Sequence, residues 1–101
     1  MKATLLGAVL LATLASAHAQ TTDRQARAWA ASCAACHGTD GRSAGGIPPI
    51  TGRDAEVLYR TLLEFKNNQR PAATVMHQHT KGYTDEELRR IAQHFAHLNS
   101  K

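Results

Sequence analysis

The chain has 101 residues, a formal charge of +4 with its histidines neutral, and two cysteines. That length holds one small domain whose apolar core is marginal without a further staple. The positive balance is too modest to argue for nucleic-acid binding or electrostatic adhesion to a membrane, and two cysteines are too few for a four-thiolate zinc site.

The first residues read as an export leader. Met1 and Lys2 form a short positive start, Leu5 to Leu14 is an uncharged apolar run, and Ala17-His18-Ala19 is an A-x-A cleavage site. A permanent membrane anchor needs about 20 apolar residues, so the run predicts a cleaved secretory signal over 1–19. One domain over 20–101 remains, 82 residues long with a charge of +3 and no membrane anchor.

From about Asp23 to Cys36 the sequence predicts a helix, capped by Thr22 or Asp23 and filled with alanines. Ala26, Trp29, Ala30 and Cys33 share one face, which is expected to point at the core. At the end of this helix stands Cys33-Ala34-Ala35-Cys36-His37. C-x-x-C-H is the attachment signature of a c-type haem. Cysteines three apart on a helix lie on one face, so both thiols can form thioethers to one porphyrin. His37, on the same turn, then serves as the proximal iron ligand. A thioredoxin-like pair needs a βαβ context that is absent here, and zinc needs a second pair of ligands. One covalent haem c is therefore the expected cofactor, and it supplies the missing staple. Trp29 is expected in the core beside it, or bonded to a propionate.

Gly38 to Gly52 is dense in Gly and Pro and predicts a loop wrapped on one edge of the haem, with Pro48, Pro49 and Ile50 as its ring-contacting apolar part. Arg42 and Arg53 are candidate propionate partners against a plain solvated reading. Asp54 to about Asn68 predicts a second helix with Leu58, Thr61, Leu62 and Phe65 on one stripe. Ala72 to Tyr83 is expected to be a loop. Thr84 and Glu87 make a capping box that opens a last helix through Leu88, Ile91, Ala92, Phe95 and Leu98, expected to pack on the first. The architecture is thus all-α, three main helices and loops around one haem.

Met76 is the remaining methionine once the leader is gone, and it follows His37 by 39 residues. It is the expected sixth ligand, with His77 and His79 as competitors. A six-coordinate iron has no open position, which argues for electron transfer over oxygen or peroxidase chemistry. His94 and His97, three apart, offer a weak surface metal site with His77 or His79. No hydrolytic constellation is present.

These residues resemble the class I, all-helical monohaem c-type cytochromes, in particular the bacterial c4/c5-like branch. The resemblance runs from about Arg24 to Leu98 and rests on Cys33, Cys36, His37, the P-x-[LI]-x-G pattern at Pro48, Ile50 and Gly52, and the late Met76. It implies that the Pro48 carbonyl accepts a hydrogen bond from His37, and that attachment takes place outside the cytoplasmic membrane, in the periplasm. Class I members often carry a small residue eight before the first haem cysteine, where the last helix crosses. Here that position is Gln25, and Ala26 is the substitute. The strings S-C-A-A-C-H-G-T-D-G-R-S, G-I-P-P-I-T-G, R-P-A-A-T-V-M-H-Q and K-G-Y-T-D-E-E-L resemble the cytochrome subunit of flavocytochrome c sulfide dehydrogenase.

That resemblance implies an electron carrier that accepts electrons from an FAD-containing sulfide-oxidising subunit and passes them to a soluble redox acceptor, without itself acting on sulfide. Ile47, Pro48, Pro49 and the Val75-Met76 region would form its docking surface. The alternatives are a free c4/c5-like shuttle to a terminal oxidase or reductase, a haem-based sensor or peroxidase, and a metal carrier using the histidines.

Overall fold

The computed structural model describes residues 23–98, so the expected leader over 1–19 lies outside the described residues. Helix α1 (Arg24–His37) starts where Asp23 accepts the Ala26 N–H at 3.0 Å, which satisfies one of the donors that a helix start leaves open. It runs one residue further than expected and stops at Gly38, whose φ of 84° and ψ of 167° lie outside the helical region. A 3₁₀ turn (Thr39–Gly41) follows.

Helix α2 (Ala55–Lys66) is capped by Asp54, which accepts the Val57 N–H at 3.0 Å. Of its expected stripe Leu58 is buried, while Thr61, Leu62 and Phe65 are half-buried. Helix α4 (Asp85–His97) opens on the reciprocal capping box of Thr84 and Glu87, both bonds at 3.1 Å.

The expectation of a loop over Ala72–Tyr83 needs correction. Val75–Lys81 forms a further short helix, α3, so four α-helices stand among the described residues where three main helices were expected. An isolated segment of this length cannot hold a helix, and its mixed polar sequence carries no amphipathic period. Packing against α2 and the buried Thr80 hold it instead.

Helix α4 is the centre of the fold. Leu88, Ile91, Ala92 and Phe95 recur at i, i+3, i+4 and i+7 and are all buried. Full burial of a Leu or Ile side chain is worth about 1.5–3 kcal/mol, so this stripe dominates the core. Helices α1 and α2 both pack on α4, with Ala30, Cys33 and Leu58 completing the cluster. Ala26 is fully buried and Gln25 exposed, so the small residue on the buried face of α1 stands seven positions before Cys33 rather than eight. Beside it, Arg90 of α4 donates two hydrogen bonds to the Asp23 carboxylate, each at 2.7 Å, and lies 4.7 Å from the centre of the Trp29 ring.

Candidate functional site

The last turn of α1 carries Cys33, Cys36 and His37. Alanine spacing keeps the turn regular, so the two thiols, both free, project one helical turn apart. Cys33 is buried and Cys36 exposed. Burial pushes the Cys33 thiol pKa up, which disfavours the thiolate and speaks against a reactive redox pair.

His37 closes the helix, and its Nδ1 lies 2.7 Å from the Pro48 carbonyl oxygen. A carbonyl only accepts, so Nδ1 carries the proton and Nε2 keeps its lone pair, the tautomer a metal ligand requires. The loop is tied down just after this contact. Ile50 N–H donates to the Gly41 carbonyl at 2.9 Å and Gly52 N–H to the Phe95 carbonyl at 3.1 Å, which anchors Pro48 to the core. Gly41 is the tight point: its φ is 73°, and a Cβ there would stand 2.7 Å from Ile50 Cγ1 and 3.0 Å from Phe95 Cε1. Ile50 is therefore a half-buried core contact, while Ile47, Pro48 and Pro49 are exposed. Arg53 donates to the Pro49 carbonyl at 3.1 Å, and Arg42 lies 3.4 Å from Asp40.

Met76 sits in the first turn of α3, half-buried, with its backbone carbonyl accepting the Thr80 hydroxyl at 2.7 Å. Both neighbouring histidines are engaged elsewhere. His77 Nε2 donates to the Arg70 carbonyl at 2.7 Å, and its ring lies beside Phe65. His79 Nε2 lies 3.3 Å from Ser32 Oγ and 3.8 Å from Cys33 Sγ, with Tyr83 edge-on to its ring. Trp29 packs between Tyr83, edge-on at 6.4 Å, and Arg90. Sequence alone gives Ser32 and Tyr83 no role. Their only signal was position, one residue before Cys33 and one before the capping box.

His94 and His97 do not join a metal cluster: no group of three or more His, Cys, Asp or Glu suited to an ion occurs among the described residues. His94 instead borders an open groove of about 570 Å³ with Ala30, Ala31, Ala34 and Phe95, and burial lowers its pKa. A second groove of about 560 Å³ lies between Phe65 and Ala73. Neither is lined by Cys33, Cys36, His37 or Met76. No described helix is long and apolar enough to cross a membrane.

The residues fit a covalently held haem: two free thiols one turn apart, and an imidazole whose hydrogen bond leaves Nε2 open. An all-helical fold with this site defines a c-type cytochrome, an electron carrier with covalently bound haem c. The chain belongs to the family described as cytochrome c oxidase, cbb3-type, subunit III, which it matches over residues 20–95. It is 50% identical over 70 residues to the cytochrome subunit of sulfide dehydrogenase from Chlorobaculum tepidum, a match covering 69% of this chain and 63% of that protein. The chain thus spans less than two thirds of that relative. It is 34% identical over 67 residues to cytochrome c-554(548) from Halomonas halodenitrificans, covering 63% of this chain and 81% of that protein.

Proposed function

We propose that the chain is the haem subunit of a sulfide-oxidising flavocytochrome c, exported after cleavage near Ala19, which takes electrons from an FAD subunit and passes them to a soluble acceptor in the periplasm. The observation that carries this reading is the 50% identity to a cytochrome subunit of sulfide dehydrogenase. When bound, the haem supplies a one-electron iron couple. In this reading Cys33 and Cys36 hold it through thioethers. His37 ligates through Nε2, held in orientation by the Pro48 carbonyl, and Pro48, Ile50 and Trp29 belong to the surrounding pocket.

Met76 would be the second iron ligand in this reading, and the hydrogen bonds that already hold the rings of His77 and His79 favour it. The Nε2 of His77 donates to a backbone carbonyl and that of His79 faces a hydroxyl, so each ring is already held and would offer an iron only its Nδ1. Met76 has a thioether with no competing partner role to give up. His/Met ligation raises the reduction potential, as suits a carrier downstream of a flavin. The exposed apolar residues Ile47, Pro48 and Pro49 on the loop, with Val75 at 69% exposure on α3, supply the docking surface for the flavoprotein.

Native pull-down of the tagged, exported holoprotein from its own host tests the partnership. A co-purifying protein with a flavin absorption shoulder and sulfide-dependent reduction of the haem is the expected result. A monomer recovered alone, reduced by no flavoprotein fraction, would overturn it. A free electron shuttle is the second reading, favoured by the match to cytochrome c-554(548), of which the chain covers 81%.

A further inference from the structure

Helix α3 carries Met76 but is too short to hold its own place. It lies along α2, and in the turn after α2 His77 donates to the Arg70 carbonyl and Lys81 to Asn68 Oδ1 at 3.0 Å. Toward α1, which carries the C-x-x-C-H, the hydrogen bonds of this region converge on one side chain. Ser32 has one hydroxyl, with one proton and two lone pairs. The proton goes to the Trp29 carbonyl at 2.8 Å, because that oxygen only accepts. The lone pairs are left for the Tyr83 hydroxyl at 2.9 Å and His79 Nε2 at 3.3 Å, each of which then donates. Every hydrogen-bonding capacity of Ser32 is used, and His79 is fixed with its proton on Nε2. That N–H also points at Cys33 Sγ, 3.8 Å away, a weak acceptor as thiol or thioether.

We propose that Ser32 is a positioning residue for the axial methionine: its hydroxyl ties His79 and Tyr83, and with them α3, to the haem-bearing turn of α1. The inference rests on Met76 being the sixth ligand. The mechanical link is short. His79 is three residues from Met76 on the same helix, and the buried Thr80 binds the Met76 carbonyl directly. Releasing Ser32 frees the α1 side of α3 while the α2 side stays attached, so α3 tilts away and the methionine becomes easier to displace. The site is exposed enough that Ser32→Ala leaves no buried hole, and alanine favours the helix.

The test is imidazole titration of the ferric holoprotein, followed through the shift of the main haem absorption band and, where Met76 is present, through loss of the weak methionine-to-iron band, in wild type, Ser32→Ala, Ser32→Thr, Tyr83→Phe and Met76→Ala. Losing the two hydrogen bonds that reach His79 and Tyr83 predicts about tenfold tighter imidazole binding in Ser32→Ala. Tyr83→Phe, which removes one arm, should show a smaller change of the same sign, and Ser32→Thr, which keeps the hydroxyl, should return to wild type. These affinities are read far below the unfolding temperature, so a general loss of stability does not imitate them. Unchanged imidazole affinity in Ser32→Ala and Tyr83→Phe, with Met76→Ala strongly open, overturns the positioning role alone. Wild type that binds imidazole as readily as Met76→Ala overturns methionine ligation and the positioning role together.

Discussion

His37 shows how one hydrogen bond assigns a residue's chemistry. Its Nδ1–H is used by Pro48, and the nitrogen left over is the one free to bind a metal. For His77 the same accounting leaves only Nδ1 for a metal, because Nε2 donates to Arg70, and Met76 keeps a role to test. Met76→Ala should lower the reduction potential on the order of 100 mV, a fraction of the roughly 0.8 V span that axial ligands command. The haem should stay attached through Cys33 and Cys36. Redox titration of the purified variant checks this, and an unchanged potential would remove Met76 as the ligand. The C-x-x-C-H was legible because its chemistry is local, and Met76 stood out as a candidate because few competitors exist. The parts played by Ser32 and Tyr83 were not legible, since the two stand 51 residues apart and meet only in the folded chain.

At the scale of elements, the loop between α1 and α2 is held by its glycines as much as by its prolines. Gly41 packs against Ile50 and Phe95 and lends its carbonyl to Ile50, so the position of Pro48 depends on it. An alanine there meets both a left-handed backbone and a filled space, which together cost about 2–4 kcal/mol. Denaturant unfolding of Gly41→Ala holoprotein should show this loss. A variant as stable as wild type would mean that the loop can shift away from α4. The helix ends were legible in the sequence, because Asp54 and the Thr84–Glu87 box are local signals. Helix α3 was not, because tertiary contacts and not periodicity stabilise it.

On the scale of the whole molecule, one ion pair fastens the start of α1 to the middle of α4. The bonds from Arg90, with help from the Ala26 N–H, hold the Asp23 carboxyl well below the usual carboxylate range. A carboxyl depressed in the folded state stabilises above its unfolded value, about 3.9, and loses that contribution as pH falls further. Both side chains are about a third exposed, at 38% for Asp23 and 34% for Arg90, so solvent and salt weaken the effect. Asp23→Asn keeps a capping side chain without the charge. Melting temperatures should show wild type ahead of this variant at neutral pH, with the gap closing below about pH 4. A gap independent of pH would assign the benefit to capping and packing alone.

The sequence by itself determined the local chemistry: the attachment signature, the candidate methionine, the helix caps and the apolar stripe that makes α4 central. All of these lie within a turn or two of chain, where spacing and residue type speak directly. Only the tertiary structure decided which nitrogen of His37 is free, that Ala26 takes the buried position on α1, that the methionine rides on a helix, and that Ser32 joins that helix to α1. Each of these depends on groups far apart in sequence competing for one another's hydrogen bonds and space. Their outcome is set by the packing of α1 and α2 on α4.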